Sequence, residues 1–404
     1  MEALSNKLTD YFDVESDDGR LVLKPQRRHA NLRILDEGLV QTAICRSGIG
    51  RIDASIPRLE YRGYDVTELA DHADFLEVAH LLLTGHSDPV AILDFKRQVD
   101  SHMERLCDLP PILAPMVRGS AATDFLALSI LTALAQGKPQ QKDDTWRIDV
   151  AAFLLAVIGV SIAVYARGGS DATGIRDQLQ VRDKSFIERV MHAAFSGTPE
   201  LFAVALINKF LILHSEHGLN CSTAVVRAVA STAADPFVAV VAGICAFKGP
   251  LHGGASEDVG MMYDRIVRDS LDVSGFIDDC LASRRRLMGF GHRIYKKPDP
   301  RAAYMRQLLI NERDKFSSIL PYLKICETFD REVGSRRYFM DRGLCPNPDL
   351  FNGILLRRIG FPSEMNTMLL CFSRSVGWLA HYYDSLDSKA PILRPQELHG
   401  AART

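Results

Sequence analysis

Val150-Ala-Ala-Phe-Leu-Leu-Ala-Val-Ile-Gly-Val-Ser-Ile-Ala-Val-Tyr-Ala166 is the longest apolar run in the chain. It is interrupted by Gly159 and Ser161 and is shorter than the roughly 20 residues a membrane span needs. A helix that is apolar all round is a helix buried inside a large protein, and no membrane role follows. Helical spacing continues outward on both sides. Upstream, Phe75, Ala79, Leu82 and Leu83 recur at that spacing, as do apolar residues in Ile92 to Leu106 and Ala121 to Ala135. Thr67 is placed to cap a helix carrying Leu69 and Ala70. Downstream come Phe202 to His214, Ala224 to Ala233 and Ala239 to Phe247, with Asp235-Pro236 as a turn and helix start. Strand-like pieces are confined to the first part of the chain: Arg20-Leu-Val-Leu23, Gly38 to Ile44 and Leu59 to Val66. Gly168 to Gly174 reads as a loop. More than ten helices with no strand–helix alternation make the fold mainly α and exclude a doubly wound sheet.

The composition agrees. In 404 residues, 47% are hydrophobic and 24% charged, an ordinary globular balance that excludes disorder as the main state. Lys plus Arg (48) nearly cancels Asp plus Glu (50), so no basic surplus points to nucleic acid. Eight cysteines without zinc-type spacing predict a reducing compartment, no disulfide framework and no metal centre. The polar, acidic stretch at the N-terminus has no secretory or transit character, which predicts a cytoplasmic protein. A P-loop and a dinucleotide fingerprint are both missing.

Chemistry concentrates in four segments. Lys248-Gly-Pro-Leu-His-Gly-Gly-Ala-Ser-Glu-Asp258 puts His252 in a permissive turn before a helix that carries Val259, Met262 and Ile266 on one face. A helix N-terminus favours neutral imidazole, which can donate to a carbonyl becoming an enolate. A backbone-satisfying histidine in a tight turn is the structural alternative. Met288-Gly-Phe-Gly-His-Arg-Ile-Tyr-Lys-Lys-Pro-Asp-Pro-Arg301 offers His292 as a proton donor, Asp299 as N-cap and Pro300 as first helical residue. Arg301 then lies in the first turn, a good carboxylate or phosphate site. Arg284, Arg285 and Arg286 upstream read either as a polyphosphate site or as a solvated helix face. Cys345-Pro-Asn-Pro-Asp349 offers Asp349 as either an N-cap or a rigidly held base. In His214-Ser-Glu-His-Gly-Leu-Asn-Cys-Ser-Thr223, His214, His217 and Cys221 fall on one face if the segment is helical, but the order is not that of a zinc protease.

Taken together these segments resemble the citrate synthase family. Its motifs G-P-L-H-G-G-A, G-F-G-H-R-x-Y-K-x-x-D-P-R-A and P-N-x-D are matched in order at Gly249 to Ala255, Gly289 to Ala302 and Pro346 to Asp349. H-x-[DE]-H-x-x-N-x-S-T matches His214 to Thr223. Leu59 to Val66, Gly360 to Met365, Ser373 to His381 and Ile392 to Pro395 resemble further parts of it, so the likeness runs from about residue 38 to 398.

The resemblance implies a mainly α, two-domain homodimer. Residues 1–253 and 361–404 would form the large domain and 254–360 an inserted small domain. The cleft would close on oxaloacetate and an acyl-CoA. Asp349 is implied as the base at the acyl α-carbon, His252 as the donor to the thioester oxygen and His292 as the donor to the keto oxygen. Arg301 and Arg374 would hold oxaloacetate carboxylates with His217, and Arg394 would be supplied by the partner subunit. Arg293, Lys296 and arginines 284–286 are candidates for the CoA phosphates. No metal or other cofactor is implied, since the CoA thioester is a substrate. The product would be citrate, or a 2-alkylcitrate if the acyl chain is longer. A citryl-CoA cleaving enzyme and a non-catalytic carboxylate-binding protein are the other readings. Three departures stand out. Gly218 replaces an acidic residue common after the histidine, and Ser256 stands where Asn is frequent. Leu350-Phe351-Asn352 follows Asp349 where aromatic-then-Ser sequences are common, and this last change bears on acyl chain length.

Overall fold

The computed structural model describes residues 12–17, 20–25, 35–137, 139, 146–292, 294–295 and 297–397. The chain forms two units, one of residues 1–46 with 394–404 and one of residues 47–393. In the first, Phe12–Asp17 and Arg20–Pro25 pair antiparallel from Phe12↔Pro25 to Asp17↔Arg20. Gly38 to Ile44 is not a strand. The Asp36 carboxylate accepts from Val40 N (3.1 Å), Gln41 N (2.9 Å) and Thr42 Oγ1 (2.6 Å), and so winds the chain into a turn.

The second unit opens with a small antiparallel sheet, Gly50–Asp53, Arg58–Tyr61 and Tyr64–Asp65, and is otherwise helical. The apolar run becomes the helix Trp146–Ala166, buried from Val150 to Val164 against Pro89–Arg105, Ala122–Gln136 and Phe186–Phe195. It is long and apolar enough to cross a membrane, but 83% of its apolar window is inside the protein. A second long helix, Asn366–Asp387, is buried along almost its whole length. Helices Phe75–Thr84, Leu201–His214, Cys221–Ala230 and Pro236–Phe247 surround it. Close packing requires Gly377, because a Cβ there would sit 2.3 Å from Ser215 O and 2.6 Å from Glu216 Oε2.

Helices Ala255–Arg268 and Pro348–Ile359 pack side by side, with Tyr263 Oη donating to Leu350 O at 2.8 Å. Helix Pro300–Asn311 leans on Pro348–Ile359. Several helix starts carry a side-chain cap, whereas others, Ala255–Arg268 and Asn366–Asp387 among them, have none. Asp235 and Asp299 cap their helices as the sequence predicts. Two expectations need correcting. Asp65, not Thr67, is the N-cap of Val66–His72; its carboxylate accepts from both Thr67 N and Oγ1. Residues 214–221 are not one helix either. Leu201–His214 ends there and Asn220 caps Cys221–Ala230, so His214, His217 and Cys221 do not share a helical face, and Cys221 is exposed.

Candidate active site

The candidate site is a cluster of side chains from helix ends, turns and one long helix of the second unit. At its centre is the buried His217, with ring centroids of His292 and Tyr295 at 5.4 and 5.9 Å. Asp299 lies against the same group: its Oδ2 is 3.6 Å from His292 Nε2 and 2.8 Å from Arg301 Nη2. Asp299 therefore does more than cap. It grips Arg301 in a two-point pair, Oδ1 to Nε being 3.1 Å, while Oδ1 also accepts from Arg301 N. Burial opposes charge on Asp299, yet Arg301 and His292 hold its pKa below the usual carboxylate value.

Arg374 comes from the middle of the long buried helix. Its only hydrogen bond among the described residues runs from Nε to His214 O at 2.8 Å. Burial lowers its pKa, against a favourable interaction with the buried Glu216. Desolvation first, then the fields of Arg301 and Arg374, holds His217 far below its usual pKa. Both guanidiniums thus act electrostatically on one imidazole. His217, His292 and Asp299 bring three possible ligand atoms within 4.8 Å. A cation there would meet two arginines, one already bound to the carboxylate. The charge balance suits an anion instead.

The tautomers follow from hydrogen bonding. His292 Nδ1 accepts from Ile294 N (3.1 Å) and Tyr295 N (3.2 Å), so Nε2 carries the proton. His252 Nε2 accepts from Ser222 N (3.4 Å) and lies 3.0 Å from Ser222 Oγ, so Nδ1 is the donor. Ser222 is itself held by Asn220 Oδ1 (2.7 Å) and the Trp378 indole (3.2 Å). Burial, with Arg301 beside His292 and Arg374 beside His252, pushes both imidazoles down to about 4. Each is a neutral hydrogen-bond donor at pH 7.

Asp349 is not an N-cap. Asn347 caps Pro348–Ile359 and accepts from Asp349 N at 3.0 Å, which places Asp349 in the first turn. Asp349 as a residue is half-buried. Desolvation pushes its pKa up to about 6, against Arg301, Ser256 and Asn352, which favour the ionised form. The loop of His292 is stitched to this helix start: Gly291 N donates to Cys345 O, Asn347 N to Gly289 O and Asn347 Nδ2 to Gly291 O, at 2.8 to 3.0 Å.

Not every expected residue joins this group. Arg284–Arg286 are exposed, as a solvated run would be, but they follow the end of helix Val273–Ala282 instead of lying on a helix face. Arg285 pairs with Asp279. Arg285 and Arg286 line a cavity of about 370 Å³ with Leu287, Phe290, Tyr338 and His292. Arg293 and Lys296 lie outside the described residues. Arg394 belongs to the other unit, and its implied role in a partner's site is not a property of one chain. Gly218 has φ +63, which accounts for glycine at that position. Sequence reasoning missed Glu216 and the second role of Asp299. It gave Ser222 and Asn220 no part, although N-C-S-T before an apolar run is a capping signal.

A buried cluster of two guanidiniums, neutral histidines with fixed protons and an aspartate pushed up to about 6 has the chemistry of an acid–base enzyme site in a mainly helical fold. The family model described as citrate synthase, C-terminal domain, matches residues 38–396. Citrate synthase of Dictyostelium discoideum is 31% identical over 96% of this chain and 78% of its own. Citrate synthase 1 of Mycobacterium tuberculosis H37Rv is 31% identical over 95% and 91%. Among solved structures, citrate synthase of Thermotoga maritima superposes with a TM-score of 0.76 at 28% identity, covering 92% of this chain and 97% of that one. The Thermoplasma acidophilum citrate synthase, solved with carboxymethyl coenzyme A and oxaloacetate, gives 0.80 at 25% identity, covering 92% and 98%. The chain belongs to the citrate synthase family and is an enzyme of that type.

Proposed function

We propose that the protein condenses an acyl-CoA, acetyl-CoA by default, with oxaloacetate and hydrolyses the resulting thioester to citrate and CoA. The supporting observation is that the fields of Arg301 and Arg374 both act on the buried His217, with Arg301 also acting on an Asp349 whose carboxyl is pushed up to about 6. Oxaloacetate has two carboxylates for two guanidiniums. Asp349, ionised at pH 7, takes the α-proton of the thioester. His252 Nδ1–H donates a hydrogen bond to the thioester oxygen and stabilises the enolate without giving up its proton. The enolate carbon attacks the keto carbon, and His292 Nε2–H delivers a proton to the keto oxygen as the carbon–carbon bond forms; the proton held by Asp349 balances the one His292 has given, and its return restores both groups. Water then cleaves the thioester and releases CoA thiol. No step calls on a metal or a redox cofactor.

The cavity of Arg285 and Arg286 beside His292 is the place we assign to the CoA moiety. Domain boundaries near 254 and 360 would divide the pocket: His292, Arg301 and Asp349 on one side, His217, His252 and Arg374 on the other. Movement between them would then open and close it. We place Arg394 in the partner's site of a homodimer.

Thiol release from acetyl- to decanoyl-CoA, with and without oxaloacetate and with Asp349→Ala as blank, tests the reading. Oxaloacetate-dependent release fastest with acetyl-CoA supports it. A maximum at propionyl or longer chains makes the enzyme a 2-alkylcitrate synthase. No release from folded protein overturns the condensing reading.

A further inference from the structure

Ser256 and Asn352 are both 0% exposed. The Ser256 hydroxyl and both amide atoms of Asn352 lack a well-formed hydrogen bond. Buried polar atoms are rarely left so, and each one demands an explanation. Ser256 opens helix Ala255–Arg268, and Asn352 lies one turn after Asp349 on Pro348–Ile359, on the same face. Both stand close enough to the Asp349 carboxyl to favour its ionised form. One hydroxyl and one carboxamide thus act on a single carboxylate from two packed helices.

We infer that Ser256 and Asn352 are a matched pair of positioning residues that aim the Asp349 carboxylate at the acyl α-carbon. Their unused hydrogen-bonding capacity is completed on that carboxylate when substrate closes the pocket. The inference rests on the proposed function, since it assigns these two side chains to the general base of that reaction. The other charged groups acting on Asp349 are Arg301, which favours ionisation, and Asp299, which opposes it. Neither changes in the variants below.

The test is the pH dependence of kcat/KM for the wild type, Ser256→Ala, Asn352→Ala, Ser256→Asn, Asn352→Ser and the Ser256→Asn/Asn352→Ser double exchange. Removing a donor from a carboxylate raises its pKa. The alanine variants are expected to move the acid limb up by about half a unit to one unit and to lower kcat about tenfold. Their thermal shift with oxaloacetate should be unchanged, because neither residue contacts that ligand's arginines. The single exchanges should be impaired and the double exchange should recover to within about threefold of wild type, which is non-additivity of contacting residues. Acid limbs that superimpose at wild-type kcat overturn the inference. So does a double exchange no better than its singles combined, and that arm decides alone if an alanine variant fails to fold. A wild type without oxaloacetate-dependent thiol release overturns the underlying function, whereas an active wild type with unmoved variants overturns only this inference.

Discussion

The two arginines at the pocket sit in opposite surroundings. Arg301 begins a helix and is neutralised by Asp299 before any ligand arrives; burial works against its charge, but the Asp299 pair raises its pKa. Arg374 stands mid-helix in the core, donates only to a backbone carbonyl, and burial lowers its pKa. One side of the pocket is a self-satisfied set of turns and helix starts. The other is a packed wall whose guanidinium feels the buried Glu216 but has no carboxylate hydrogen-bonded to it. A dicarboxylate would complete the wall and compete with Asp299 on the opposite side. Binding energy therefore falls unevenly on the two residues.

The largest effect should come from the turn side. Asp349→Ala is expected to lower condensation by about 10³-fold, the scale of a lost general base, while calorimetry finds oxaloacetate affinity nearly unchanged. Equal loss of both would make Asp349 structural. In the wild type, activity should fall as pH drops through about 6, where Asp349 gains its proton; His252 and His292, at about 4, stay neutral through that range. A limb centred well above 6 would assign the base elsewhere.

Arg374→Ala and Arg301→Ala separate the two sides directly. Each should weaken oxaloacetate about 10- to 100-fold, as expected for lost hydrogen bonds to a charged group. Only Arg301→Ala should also cost about 3–5 kcal/mol in urea unfolding, because it leaves Asp299 buried and unpaired. Identical unfolding curves would erase the distinction. The smallest effect tests the wall alone. Gly377→Ala forces a methyl against Ser215 O and Glu216 and should cost about 1–3 kcal/mol by overpacking. The thermal midpoint then drops by several degrees, and Arg374 loosens with it.

Local signals were legible in the sequence. Asp299-Pro300 and Asp235-Pro236 announce helix starts because proline fixes φ and a carboxylate satisfies the first free amides. The long apolar run, apolar all round, reads as a core helix. Where two capping residues lie close together, spacing does not choose: Asp65 against Thr67, and Asn347 against Asp349. The first misplaced a boundary; the second left a base disguised as a cap. Long-range partners left no trace at any spacing. Arg374 meets His214 O across 160 positions, and Trp378 meets Ser222 across 156. The motif resemblance located the catalytic candidates, but the tautomers of His252 and His292 required coordinates.

The Trp378 bond has an optical consequence. The chain has two tryptophans. Trp146 is edge-on to Tyr383 at 5.7 Å, whereas Trp378 donates to the hydroxyl that touches His252. A Trp146→Phe protein would carry a single tryptophan, excited selectively over the tyrosines at the red edge, wired to the candidate acid–base centre. Its emission would report ligand arrival and imidazole protonation in real time, with no label attached.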